Sequence, residues 1–229
     1  MSGPGIAVVG ATGGCGTTTM TAALAVWGLA GTRRVLSLDG HGGGPHALWG
    51  VPVARGVDHL DAVRAEVDAG HVKHIAHRGM GEWDLIAGPG TAMAYAAWPE
   101  HLARRLANAL VPTGPWLADL GRGDHVLAEG IVTHAAGVVV MTPRSLGGAE
   151  ACRTVLDALP DVRAVVGAVP RPGEDHMSSG ALRRLLHGAS IVEVPWDRRG
   201  VRSLVAGAGG RRGLAACARH VAEMVADHG

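Results

Sequence analysis

The stretch Gly10-Ala11-Thr12-Gly13-Gly14-Cys15-Gly16-Thr17-Thr18-Thr19 decides the fold of this chain because of what stands on either side of it. The apolar run Ile-Ala-Val-Val at 6–9 precedes it, and an alanine- and leucine-rich stretch follows. This order predicts a strand, a glycine loop and a helix. In such a context, backbone N–H groups and the positive end of the helix favour bound phosphate. A glycine-rich turn that binds nothing is the alternative interpretation.

The loop lacks the cation that most phosphate-binding loops carry. A lysine that contacts the β- and γ-phosphates usually stands directly before the pair of Ser/Thr residues, but here that position holds Thr17. The single lysine of the chain, Lys73, is far away in sequence. The loop therefore predicts nucleotide binding and argues against efficient phosphoryl transfer. The nucleotide-binding residues predicted in the loop are Gly13, Gly14, Cys15, Gly16, Thr17, Thr18 and Thr19.

Composition predicts one soluble α/β domain over 1–229. The chain is 47% hydrophobic, and no apolar run approaches the roughly 20 residues of a membrane span. Its three cysteines, Cys15, Cys152 and Cys217, have neither disulfide-framework nor metal-site spacing, which fits a reducing cytoplasm. A net charge of +1 gives no reason to expect nucleic acid as a partner.

Apolar runs alternate with helical patterns, which predicts a mostly parallel sheet of about seven strands flanked by helices. The predicted strands lie near 5–9, 34–38, 83–87, 115–119, 137–141, 162–168 and 191–194. The predicted helices lie near 18–29, 57–68, 99–110, 125–133, 147–159, 178–187, 199–206 and 213–227.

Two aspartates stand at strand ends, where parallel sheets bind their ligands. Asp39 follows the second strand, and Asp119 is the last residue of the strand at 115–119. Together with the Thr18 hydroxyl, these acids are candidates to hold Mg²⁺ and its water shell. Helix capping or loop hydrogen bonding is the alternative for each acid. After the last strand, Pro195 and Asp197 belong to a turn whose backbone is a candidate edge for an adenine.

The order of glycine loop, Asp39, Asp119 and Pro195-Trp196-Asp197 resembles the MinD/ParA family of deviant Walker ATPases. Within that family the chain looks most like the CpaE/TadZ branch, specifically the CpaE-like proteins of actinobacterial pilus and secretion loci. The resemblance implies a P-loop NTPase-like fold, ATP or ADP with Mg²⁺ as ligands, and a homodimer formed across the nucleotide face. It also implies partners among pilus or secretion assembly proteins, including a motor ATPase. The similar stretches are 38–44, 48–50, 118–122 and 139–143.

Departures from the family pattern concern the hydrolytic apparatus. Active members read Lys-Gly-Gly-Val-Gly-Lys-Thr-Thr, so Thr12 and Thr17 stand at the two lysine positions. His41 stands where the family has the acid that positions the attacking water. Each lost lysine contact is worth about 1.5–3 kcal/mol, which weakens binding about tenfold to a hundredfold. Nucleotide binding survives such a loss more readily than catalysis does.

Four further features have structural interpretations. Cys15 is expected to be a small apolar spacer rather than a reactive thiol. His71, His74 and His77 recur every three residues and are expected to be a solvated polar stripe rather than metal ligands. The helix at 213–227 is expected to face the core rather than a membrane. Trp49 is either a buried core residue or an exposed partner anchor.

The sequence therefore predicts a degenerate scaffold or localisation factor for pilus or secretion-system assembly, which binds ATP weakly or not at all. We expect it in the cytoplasm, without a membrane anchor of its own, and recruited by partners to the inner face of the membrane or to a cell pole. Two alternatives stay open. One is an active ATPase that uses Arg122, Arg144 or a partner residue in place of the lysines; the other is a ParA-like DNA-partitioning protein.

Overall fold

The computed structural model describes residues 5–29, 34–39, 43–52, 56–57, 59–60, 67–79, 83–88, 92–96, 99–110, 115–172 and 176–226. Within these residues the strands are β1 Gly5–Gly10, β2 Arg34–Ser37, β3 His77–Arg78, β4 Asp84–Ala87, β5 Trp116–Asp119, β6 Gly137–Pro143, β7 Ala164–Val169 and β8 Ser190–Glu193. They form one sheet in the order β3-β4-β2-β5-β1-β6-β7-β8. All described neighbours pair in parallel except β3 and β4, which are antiparallel.

The helices cover both faces of the sheet. They are α1 Thr17–Ala23, which continues as a π-helical segment Leu24–Gly28, α2 Pro45–Leu48, α3 Ala69–Ile75, α4 Ala92–Ala96, α5 Glu100–Leu110, α6 Val126–Val132, α7 Leu146–Ala158, α8 Ser179–Leu185, α9 Arg198–Val205 and α10 Leu214–Ala226. Buried residues of α5, α6, α7 and α8 pack on one face. Buried residues of α1, α9 and α10 pack on the other face.

The sheet is buried on both faces because its central strands are apolar throughout. In β1, Ile6 and Val8 face the cluster beneath α1 and α10, whereas Ala7 and Val9 face the opposite cluster. Such continuous apolar runs are typical of parallel strands. Gly5 of β1 allows the ring of Trp116, on the neighbouring strand β5, to lie directly over it. A β-carbon on Gly5 would be only 1.9 Å from that ring.

The predicted α/β class is confirmed, and the described residues form eight strands where the sequence predicted about seven. The additional strand, β3, has two residues and lies at the edge of the sheet. A pair of polar residues, His77 and Arg78, produces no hydrophobic alternation, so the sequence pattern did not reveal it. The short helices α2, α3 and α4 were also missed, and the helix predicted at 57–68 lies largely outside the described residues.

The predicted core-facing stripe of the C-terminal helix is confirmed. Leu214, Ala218, Val221 and Val225 of α10 are buried against the π-helical end of α1 and the sheet. Among the described residues, no helix has the length and apolar character needed to cross a bilayer.

Candidate functional site

The glycine loop between β1 and α1 is anchored at its base to the ends of two neighbouring strands. The Gly10 N–H donates to the Gly121 carbonyl at 2.6 Å, beyond β5, and the Ala11 N–H donates to Met141 of β6 at 2.9 Å. Gly14 and Gly16 have φ of +69° and +92°, a left-handed conformation that favours glycine. The loop thus lies at the carboxyl edge of the sheet, which is where parallel α/β folds bind their ligands.

One side of this loop carries a buried acid bonded to the first turn of α1. The Thr18 hydroxyl donates to Asp119 Oδ2 at 2.7 Å, and the Gly121 N–H donates to Asp119 Oδ1 at 3.1 Å. Asp119 has no exposed surface. The structure therefore brings together Thr18 and Asp119, which the sequence placed in one candidate metal site.

Burial sets the protonation of Asp119. Desolvation raises the pKa of its carboxyl to about 6, against the opposing effect of the Thr18 hydroxyl and the Gly121 N–H. The negative charge of Asp39 raises this pKa further. A carboxylate in this position gains from a nearby cation, because a cation compensates both the burial and the repulsion.

Asp39 approaches the same point from the neighbouring strand. Ser37 of β2 lies opposite Asp119 of β5 in the parallel register, so Asp39 emerges just beyond that pair. Its carboxylate lies against Gly121, where an added β-carbon would be 2.4 Å from Asp39 Oδ1. Gly121 also has a φ of +57°, so two independent requirements favour glycine there.

The oxygen ligands that Asp39, Asp119 and Thr18 offer beside the loop fit a Mg²⁺ ion that is bound together with a nucleotide. Mg²⁺ is usually held by one or two carboxylates, water and substrate phosphates, and Asp39, Asp119 and Thr18 supply oxygen atoms of that kind. Among the described residues, no group of three or more His, Cys, Asp or Glu side chains forms a metal site of its own. Phosphate oxygens would therefore have to complete the coordination.

A cavity of about 450 Å³ with mainly apolar walls lies on the side of α1 away from Asp119. It combines Thr19 of α1 with Pro195 and Asp197, three residues that the sequence placed in one nucleotide site. Trp196 stands at this cavity with 54% of its surface exposed. The described residues that line the cavity are Gly16, Thr19, Met20, Met141, Val169, Val194, Pro195, Trp196, Asp197, Arg198, Val201, Arg202 and Leu214.

The Asp197 carboxylate joins two helices. Its Oδ1 accepts from Gly200 N–H of α9 at 2.8 Å, and its Oδ2 accepts from Leu214 N–H of α10 at 3.1 Å. These backbone donors lower the pKa of Asp197. The side chain thus has a structural role, and Pro195, Trp196 and Asp197 of this turn line the cavity.

The structure settles three other features of the sequence. Cys15 is buried, and desolvation raises the pKa of its thiol, as expected for an apolar spacer. Trp49 is also buried and packs on Trp83 with ring centroids 4.7 Å apart. His71 and His74 lie in α3 whereas His77 begins β3, so the three histidines do not share one helical face.

The described contacts of Arg122 and Arg144, the two arginines that the sequence suggested as substitutes for the lysines, are with residues outside the loop. Arg144 donates to the Met177 carbonyl at 2.8 Å, and Arg122 lies 3.4 Å from Asp124. The loop is instead contacted by Arg171, whose Nη2 donates to the Gly13 carbonyl at 2.9 Å. The sequence analysis missed Arg171, although its place just after a parallel strand was a usable signal.

No protein-family model matches the chain. The chain is similar to the ESX-1 secretion-associated protein EspI of Mycobacterium tuberculosis, with 32% identity over 220 aligned residues that cover 84% of this chain. It spans only about a third of that relative, 32% of its length.

Two solved structures resemble the whole described architecture. One is a ParA family ATPase from Chlorobium tepidum, with a TM-score of 0.73 and 15% identity, covering 100% of this chain and 93% of the other. The second is the septum site-determining protein MinD of Pyrococcus horikoshii complexed with Mg-ADP, with a TM-score of 0.73 and 16% identity, covering 99% and 96%. The chain therefore has the α/β fold of the MinD and ParA ATPases, and the predicted resemblance is confirmed at that level.

Proposed function

We propose that this chain is a nucleotide-binding scaffold of the MinD/ParA type that serves a secretion or pilus assembly machine. It binds Mg-ATP weakly, hydrolyses it poorly, and forms a homodimer across the nucleotide face. We place it in the cytoplasm, where assembly proteins, including a motor ATPase, recruit it to the membrane or to a cell pole. All of 1–229 acts as one domain in this proposal.

One observation carries the proposal: oxygen ligands suited to Mg²⁺ lie beside the loop, and the loop lacks its lysines. Thr18, Asp119 and Asp39 converge beside the loop, whereas Thr12 and Thr17 are neutral. An ATPase needs cations to stabilise the charge that develops on the transferred phosphoryl group. This combination favours binding over turnover.

The similarity to EspI supports the secretion part of the proposal, because EspI is named as secretion-associated. The MinD structure with Mg-ADP supports the ligand, since the cavity beside α1 and the acids beside Thr18 offer places for a base and a metal. Neither protein matches this chain closely enough to transfer its partners, so those partners belong to the proposal.

Calorimetric titration with ATP and ADP in the presence of Mg²⁺, together with light scattering for mass, tests the proposal. We expect saturable but weak binding, an increase in mass on binding ATP, and turnover far below that of lysine-containing relatives. The double variant Thr12→Lys/Thr17→Lys should have an affinity for ATP at least about tenfold higher than that of the wild type. The proposal fails if millimolar ATP does not bind, or if the purified protein turns ATP over rapidly.

A DNA-partitioning function is a second candidate, favoured by a basic stretch after β8. The chain has no acidic residue from 198 to 222. Five exposed arginines lie there: Arg198, Arg199, Arg202, Arg211 and Arg212. Retention of non-specific duplex DNA that weakens steeply with salt would support this function, because phosphate contacts release counterions. Absence of retention at low salt would exclude it.

A further inference from the structure

Arg171 makes a long-range contact with the tip of the glycine loop. Its Nη2 donates to the Gly13 carbonyl at 2.9 Å, between residues 158 positions apart in sequence. A β-carbon on the neighbouring Gly14 would lie 3.9 Å from the same Nη2. The guanidinium therefore lies on the part of the loop where Gly13 and Gly14 are exposed.

Arg171 contacts the loop and comes shortly after a strand that reaches the apolar cavity. Arg171 comes two residues after Val169, which ends β7 and lines the cavity. Strand β7 pairs with β6, and Met141 of β6 binds the base of the loop through Ala11. A ligand with its base in the cavity and its phosphates on the loop would bring those phosphates to the loop that this guanidinium contacts.

The chemistry of arginine suits this place. A guanidinium stays charged at any physiological pH, and its planar N–H groups match phosphate oxygens in a fork geometry. Arg171 also acts electrostatically on the loop. Burial raises the pKa of the Cys15 thiol, and the charge of Arg171 opposes that rise.

We infer that Arg171 is the phosphate-contacting cation of this site and takes over the role that a loop lysine has in other phosphate-binding loops. This inference rests on the proposed nucleotide binding. The bond to the Gly13 carbonyl holds the guanidinium over the loop before a ligand arrives. The contact favours ligands with a phosphate chain over the nucleoside alone.

Calorimetry with ATP and with adenosine tests the inference in Arg171→Gln. We expect ATP affinity to fall about tenfold to a hundredfold, the loss that corresponds to one charge-assisted contact, while adenosine binding stays the same. Arg183→Gln is the matched control, because Arg183 is an exposed arginine in the last turn of α8. It should bind ATP as the wild type does.

Two further variants separate a charge effect from damage to the loop. Arg171→Lys keeps the charge without the fork, so we expect it to retain part of the ATP affinity even if Arg171→Gln folds poorly. Thr17→Lys should restore ATP affinity when it is added to Arg171→Gln. The same change should raise ATP affinity by a smaller factor in the wild type, because the two cations serve the same phosphates.

Each outcome has a distinct meaning. If the wild type binds ATP and Arg171→Gln binds it equally well, Arg171 has no phosphate contact and the proposed nucleotide binding stands. If Arg171→Gln weakens ATP and adenosine equally, Arg171 shapes the site without contacting phosphate, and the inference is again wrong. If the wild type binds no ATP, both the inference and the proposed function are wrong.

Discussion

Asp119 ends a parallel strand and Asp197 comes shortly after one, yet the fold gives them opposite environments. Asp119 is fully buried, and desolvation raises its pKa to about 6. Asp197 receives two backbone N–H bonds from the starts of α9 and α10, and these lower its pKa. Asp197 is thus stabilised as an anion by the fold, whereas Asp119 is destabilised as an anion.

This difference distinguishes a structural acid from an acid held for a ligand. A carboxylate whose oxygens accept from two helix starts needs no external cation, since the backbone satisfies its charge. A buried carboxylate with a second acid nearby costs free energy until a cation arrives. The comparison therefore supports the proposed metal-binding side at Asp119 and Asp39, and assigns Asp197 to the joining of two helices.

The largest expected effect comes from Asp119→Asn, which removes the buried charge and keeps the size of the side chain. In the absence of ligand at pH 8, we expect this variant to be more stable than the wild type by about 3 kcal/mol, the value of a pKa raised from 3.8 to about 6. Chemical denaturation at a series of pH values measures this difference.

The pH dependence of this stability difference follows from the raised pKa of Asp119 in the folded state. Above the folded pKa of about 6 the carboxyl is ionised in both states, and the folded state carries the whole penalty. As pH falls towards 4 the folded protein is protonated first, so the wild type gains stability and the advantage of Asp119→Asn disappears. Asp161→Asn, an exposed position before β7, should show no such trend. An equal stability of Asp119→Asn and wild type at pH 8 would mean that Asp119 carries no buried charge.

The second expected effect, from Asp197→Ala, has the opposite sign. Removing the acceptor of two helix starts should destabilise the protein by about 2 kcal/mol, since one cap is worth about 1 kcal/mol. Asp197→Asn keeps one acceptor oxygen and should lose about half as much. Thermal and urea unfolding measure both variants. If Asp197→Ala instead leaves stability unchanged and weakens nucleotide binding, Asp197 belongs to the binding site.

The sequence predicted the alternation of strands and helices and the meeting of Thr18, Asp39 and Asp119, because parallel strands bring their carboxyl ends to one edge. It did not reveal that Asp119 is buried whereas Asp197 accepts from two helix starts, because both look alike as an acid after an apolar run. Their burial depends on which helices pack over them. Nor did it find Arg171, since a contact between positions 13 and 171 depends on the order β1-β6-β7 in the sheet.

The smallest effect separates the two sides of α1 through adjacent threonines. Thr18→Val removes the hydroxyl that donates to Asp119 and should cost about 1.5 kcal/mol at pH 8, the value of a hydrogen bond to a charged group. Thr19→Val is the matched control, because Thr19 lines the cavity on the other side and should change stability little. At pH 5 the cost of Thr18→Val should shrink, since protonated Asp119 depends less on a donor. Equal losses in the two variants would show that Thr18 stabilises the helix and not the acid, and would remove the distinction between the two sides.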